Sequence, residues 1–201
     1  MRRWIGLVLM AALATSPLFA DAKKAKEKVR KAEAEYARRN YPGAEKLLRQ
    51  AIEEDPSSID AHGALADLLS ATQRNSQAAR EYAKTLALDD QQKVLTANQR
   101  RGFTDQLGVT TALGGDLEGA KKIYLDAIAK DPDYAMFNYN LACVYAEQGD
   151  LDSALPYLKK SWEHRDTLQG GMKFPDPRQD NSFKRFLDDK RFQETVRNMV
   201  L

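Results

Sequence analysis

The sequence predicts an all-α protein built as a stack of helix–turn–helix units, and three observations support that expectation. First, Ala44, Ala78, Ala120 and Ala154 stand 34, 42 and 34 residues apart, and their surroundings repeat in step. Leu48, Tyr82, Tyr124 and Leu158 follow four residues later, and Ala51, Thr85, Ala127 and Ser161 seven later. Pro56, Asp90, Pro132 and Asp166 follow twelve later; twelve before each alanine stands Ala32, Ala66, Gly108 or Ala142. Such a period marks stacked copies of one supersecondary unit. Second, apolar residues recur at helical spacing on both sides of a turn signal. Leu141, Val144 and Tyr145 precede Gly149-Asp150, and Leu155, Leu158 and Trp162 follow it. Third, the 201 residues contain only 11 Gly and 7 Pro, with long Ala/Glu/Lys/Leu/Arg stretches that favour helix.

Taken in order, residues 1–22 read as an export signal. Arg2 and Arg3 form a positive start, Ile5 to Ala14 an apolar run too short for an ordinary span, and Thr15-Ser16-Pro17 a polar break. Ala20-Asp21-Ala22 places the cut after Ala22, or alternatively after Ala20, and so predicts a periplasmic or secreted protein. Lys23, Lys24, Lys26 and Lys28 compete with the arginines for the cytoplasmic side. The second reading is therefore an inner-membrane anchor formed by residues 4–20.

Residues 23–58 supply a first unit whose charged opening helix carries a thin inner stripe of Val29, Ala32 and Tyr36. A second unit occupies 59–92, a third 93–134 and a fourth 135–166. Within each, the small residues let two antiparallel helices approach closely, and the larger ones fill the seam. The long step of 42 leaves eight extra residues in the third unit. There Thr96-Ala97-Asn98-Gln99 has the form of a capping box, which predicts a helix from about Ala97 to Leu113 after a polar rim loop over 89–95. The insertion is either a tolerated loop or a lip that shapes a groove. Residues 167–179, with Gly170-Gly171 and Pro175-Asp176-Pro177, read as a linker. Residues 180–201 read as two short capping helices, the second starting at Asp188 or Asp189. Their Phe183, Phe186 and Phe192 are expected to cover the apolar end of the fourth unit.

These units resemble tetratricopeptide repeats, which place small, aromatic and proline positions in this order over 34 residues. The tail resembles the closing segment of bacterial arrays of that family, with Lys190 where a proline is usual. The resemblance implies a right-handed α-solenoid of about four units plus C-terminal capping helices. It also implies a concave groove lined by each unit's first helix, in which a peptide or helix of a partner lies. Carried over position by position, the groove takes Lys26, Val29, Glu33 and Tyr36 from the first unit and Asp60, Gly63, Asp67 and Ser70 from the second. Gly102, Asp105, Val109 and Ala112 follow from the third, and Met136, Tyr139, Cys143 and Ala146 from the fourth. The candidate partner-binding residues are Glu33, Tyr36, Asp67, Ser70, Asp105, Val109, Met136, Tyr139 and Asn140. Glu33, Asp67 and Asp105 predict a protein or peptide partner with apolar side chains and Lys or Arg; the alternative is a merely solvated inner face. The family members that grip a C-terminal carboxylate use groove cations. Val29, Glu33, Ala64, Gly102 and Gln106 stand at those positions here, so that mode is not expected.

Little in the sequence suggests chemistry. With 31 Lys plus Arg against 29 Asp plus Glu, and a formal net charge of +2, nucleic acid is not an expected partner. His62 and His164 lack partners at metal spacing. Gly114 to Gly119 has the gap of a phosphate-binding loop but continues Ala120-Lys121-Lys122, with no preceding strand. Cys143, the single cysteine, lies in an apolar stretch and is expected to be a packed thiol. No catalytic residue, metal or cofactor is expected. The function predicted is a non-enzymatic interaction scaffold of the bacterial cell envelope. The alternatives are a self-associating structural protein and a membrane-anchored accessory subunit.

Overall fold

The structure, a computed structural model, describes residues 17–168, 171–197 and 199; most of the expected export signal, Gly170 and Val200 lie outside them. Helices pair along the chain as antiparallel hairpins: α1 (Pro17–Ala37) with α2 (Tyr41–Glu54), α3 (Ile59–Ala71) with α4 (Asn75–Gln92), α5 (Ala97–Leu113) with α6 (Leu117–Lys130), and α7 (Ala135–Glu147) with α8 (Leu151–Glu163). Each hairpin packs on the next, and the first helices also touch directly, α1 on α3 and α5 on α7. The result is an α-solenoid.

The turns inside the four hairpins obey one rule. Each has three residues, the middle one left-handed: Arg39 (φ 61°), Gln73 (φ 59°), Gly115 (φ 93°) and Gly149 (φ 82°). The third residue opens the second helix. Asn40, Asp116 and Asp150 accept the amides of Gly43, Gly119 and Ser153, satisfying donors that a helix start leaves unpaired. Arg74 makes no such cap. Above the turns, Ala44, Ala78, Ala120 and Ala154 have no exposed surface. At the facing position of the third unit, a Cβ on Gly108 would stand 2.3 Å from the Tyr124 ring, so only glycine fits. That ring is held by its hydroxyl, which donates to the Asp105 carbonyl at 3.0 Å.

The long step is resolved differently from the sequence expectation. Of the expected rim loop over 89–95, residues 89–92 are helix and only 93–95 lie in the connection. Helix α4 has 18 residues against 14 in α2 and α6, and α5 has 17 against 13 in α3 and α7. The connection between α4 and α5 spans 93–96, the same length as 55–58 and 131–134 between the other units. The eight extra residues are thus one added turn at the end of α4 and one at the start of α5, each lengthening its helix by about 6 Å. The expected capping box of Thr96 and Gln99 starts α5.

Asp89 closes this elbow. Only 3% exposed, it accepts the amides of Val94 (3.0 Å) and Leu95 (2.9 Å) and the Arg100 guanidinium (2.6 Å). Arg100 also bonds Asp90 at 2.6 Å. Desolvation alone would raise the Asp89 carboxyl. The Leu95 and Val94 amides and Arg100 outweigh it and hold the pKa below the usual range.

The core runs along the array but thins at α5, whose only buried residues are Gly108 and Thr110. One cluster joins Val29, Leu48, Leu65, Leu69 and Tyr82 of the first two units. Another joins Tyr124, Phe137, Leu141 and Val144, and a third seats the tail on α7 and α8. The tail consists of a 3-10 turn (Asn181–Phe186) and α9 (Lys190–Val196), the latter capped by Asp189. The first expected capping helix is therefore a 3-10 segment, set by the buried seat of Phe183. Phe183 and Phe192 stack with centroids 5.4 Å apart and close the end of the fourth unit.

Two consequences are testable by urea denaturation. Arg39→Gly and Gln73→Gly, which relieve left-handed backbone at equivalent turns, are each expected to stabilise by about 1 kcal/mol. Gly108→Ala, which drives a methyl into the Tyr124 ring, is expected to destabilise by about 1–3 kcal/mol.

Candidate functional site

A cleft of about 730 Å³ opens on the inner face of the first two units. Its floor is Val29 of α1 with Ile59, Gly63 and Ala64 of α3, and its third wall is Leu95, Gln99 and Phe103 from the elbow and α5. Phe103 leans over the floor: a Cβ on Gly63 would lie 3.0 Å from its ring, which also tilts against Tyr82 at 6.1 Å. Because α5 starts a turn early, Leu95 and Gln99 reach the cleft. The four-residue spacing of Leu95, Gln99 and Phe103 is the sequence signal that marks this wall, though the groove positions of a regular unit omit it.

Glu33 and Asp67 line the same cleft and an adjoining recess of about 310 Å³, where Tyr36 joins them. Tyr36 is exposed and tilts against Tyr41 at 5.4 Å. The Tyr82 hydroxyl donates to Asp67 at 2.7 Å. Partial burial raises the Asp67 carboxyl, and the Tyr82 bond opposes that rise. Ser70 is half-buried one turn further along α3.

The third and fourth units look different, since most of their groove positions are occupied by the chain itself. Asn140 donates its side-chain amide to Asp105, joining α5 to α7. Burial pushes the Asp105 carboxyl up to about 6. Tyr139 is 2% exposed, edge-on to Phe174 and Phe183, and donates to Asp180 at 2.9 Å. The expectation of Tyr139 as an open groove contact is corrected: the tail covers it. Cys143 faces the same Asp180 carboxylate at 3.7 Å, and burial pushes its thiol far above the range of a reactive thiolate. Met136 packs between two core clusters. Val109 lines a separate cleft of about 530 Å³ with Ala112, Asn140 and Asp180.

His62 has both ring nitrogens occupied, one 2.7 Å from Glu81 and the other 3.2 Å from the Pro56 carbonyl. Among the described residues no group of three or more His, Cys, Asp or Glu is placed to hold a metal ion. No helix of the described residues is long and apolar enough to cross a membrane.

Sequence models of the tetratricopeptide repeat match residues 35–97 and 123–155. The chain is a tetratricopeptide-repeat protein. The unmatched stretch between those two segments holds almost all of the lengthened α5. Solved structures share the fold. MamA aligns with TM-score 0.60 and 20% identity over 73% of this chain and 80% of its own. YrrB, described as a protein with an unusual peptide-binding site, aligns with TM-score 0.58 and 14% identity over 92% and 91%. TTC0263 from Thermus thermophilus aligns with TM-score 0.54 and 20% identity over 86% and 87%. No curated protein matches the chain. Tetratricopeptide repeats are non-catalytic protein–protein interaction scaffolds, and this array is such a scaffold rather than an enzyme.

Asp105 gives the site a pH signature. Its folded pKa of about 6 lies above the unfolded value near 3.9, so between about pH 4 and 6 the folded chain keeps a proton that the unfolded chain releases. Stability from this group therefore falls as pH rises through that window. Asp105→Asn, which still accepts from Asn140, is expected to be more stable than the parent by about 3 kcal/mol at pH 7 and equal to it near pH 4. Thermal melts across that range check it; a difference that grows toward low pH would contradict it.

Proposed function

We propose that the protein is an exported scaffold of the bacterial cell envelope that holds a segment of a partner in the cleft between α1, α3 and the elbow. The observation that supports this reading is the contrast between the two halves of the inner face. Both halves carry a cleft, but the one in the first half, of about 730 Å³ against about 530 Å³, is edged by carboxylates without ion pairs among the described residues, whereas Asp105, Asn140, Tyr139 and Cys143 of the second half are engaged by the chain's own groups. Glu33, Asp60 and Asp67 in the cleft form no ion pair with any described residue, which favours a partner carrying Lys or Arg beside apolar anchors. Asp105 drops out of that set because it is spent on the third unit. The likeness in fold to YrrB, whose description names a peptide-binding site, accords with a peptide segment as occupant.

Export is supported by Arg2, Arg3, the apolar run and Ala20-Asp21-Ala22. A cut after Ala22 leaves Lys23 first and keeps every cleft residue.

Photo-crosslinking in the native cells tests the site. A photoreactive residue replacing Asp60 or Gln99 is expected to capture a partner, and one replacing the exposed Lys122 or Lys159 of second helices is not. Adducts from Lys122 alone would refute the cleft. N-terminal sequencing of the same protein is expected to return Lys23 or Asp21; an intact Met1 would refute the cut.

A further inference from the structure

We infer that the array has a pH-sensitive joint: ionisation of Asp105 frees α5, together with the first two units, to swing away from α6 and α7.

The joint stands first on packing. The apolar core is divided along the array, and α5 lies between its parts. Phe103 and Leu107, in the first part of α5, pack on the cluster of the first two units. Ala112, near its end, packs on the cluster of α6 and α7. Opposite the Tyr124 ring α5 offers only Gly108, which has no side chain to bury. The ties from α5 to the second half are therefore largely polar. Arg101 bonds Asp131 at 2.6 and 3.1 Å, the Tyr124 hydroxyl donates to the Asp105 carbonyl at 3.0 Å, and the Asn140 amide donates to the Asp105 carboxyl.

Asp105 supplies the tie that titrates near neutrality. Its contrast is Asp89 at the other seam of α5, whose charge is met by two backbone amides and a guanidinium. Asp105 has one side-chain amide and no ion pair with any described residue, and burial pushes its carboxyl up to about 6. The groups around it are neutral or already engaged. Tyr124 of α6 and Tyr134 ahead of α7 are phenols raised by burial, and the Cys143 thiol of α7 is raised in the same way. Arg101, one turn earlier, is held by Asp131 and lies over the Tyr134 ring at 4.8 Å. From α3 and α4, Asp67 meets Tyr82, His62 meets Glu81, and Asp89 and Asp90 hold Arg100.

A carboxylate served by one donor gains by reaching water, where its pKa returns to about 3.9. The closed joint thus binds the extra proton, so acid closes it and rising pH opens it. Between pH 4.5 and pH 7.5 the ratio of open to closed molecules rises about 25-fold. Leu95, Gln99 and Phe103 stay with the first two units, so the cleft moves as one piece. What changes is its angle to the tail-capped half.

Single-molecule energy transfer in the full-length chain tests this, with dyes on Lys46→Cys of α2 and Lys159→Cys of α8 and with Cys143→Ala removing the native thiol. Both dye positions are exposed. At pH 4.5 the parent is expected to show mainly one separation. By pH 7.5 a second separation is expected to have grown about 25-fold relative to the first. Asp105→Asn keeps the bond from Asn140 without the charge and is expected to hold the first separation at both values. That variant also isolates Asp105 from His62 and from His164, which stands 3.6 Å from Asp133. Far-UV circular dichroism is expected to be the same at both values, since the helices swing and do not melt. A single separation throughout in the parent, a shift that persists in Asp105→Asn, or loss of helix in step with the second separation would overturn the inference.

Discussion

The whole array depends on how closely the two helices of each unit approach. Ala44, Ala78, Ala120 and Ala154 have no exposed surface, and Ala32, Ala66, Gly108 and Ala142, twelve residues before each, are buried as well. A larger side chain at any of these eight positions would push the helices apart and lose dispersion contacts along their length. With the spacing fixed, the next positions can be large: Leu48, Tyr82, Tyr124 and Leu158 are all essentially buried. The three-residue turns then follow, because only a short connection with one left-handed residue returns a helix at that distance. Arg39 and Gln73 tolerate that conformation in the first two units where glycine fills it in the last two, so packing overrides local preference.

The irregular step obeys the same constraint by avoiding it. Its additions lie at the far end of α4 and the near end of α5, beyond the alanine seam, and each is close to a whole number of turns. The existing faces therefore keep their orientation. What changes is at the rim, where the added turns project and need their own closure. Asp89 provides it, and its buried carboxylate is tolerable because two backbone amides and a guanidinium surround it. The cost falls on α5, which buries little and lies between two core clusters. The same geometry brings Leu95 and Gln99 over the inner face and makes a three-walled cleft from what would be an open trough.

Much of this was legible in the sequence because it is local or periodic. The alanine ladder gives the hairpins, and Thr96 with Gln99 gives the start of α5. The extra turn of α4 was hidden because Asp89-Asp90-Gln91-Gln92 has the polarity of a loop; Arg100, eleven residues beyond Asp89, helps make it helix. The groove residues divided along the same line. Glu33, Tyr36 and Asp67 are where periodicity puts them, and no distant described residue covers them. Tyr139 is covered by Phe174, Phe183 and Asp180, and Asp105 meets Asn140 35 residues away. Periodicity within a unit carries no information on such long-range partners.

We propose that the elbow, an addition to a regular array, serves the cleft and not the fold. It is tested most directly by deleting residues 89–92 and 97–100 together, which restores the 34-residue step and removes Asp89 and Arg100 at once. Binding of the partner captured through the cleft, measured beside thermal unfolding, gives the answer. The variant is expected to be as helical and as cooperative in unfolding as the parent and no longer to bind. A variant that fails to fold, or that folds and binds as the parent does, would contradict it.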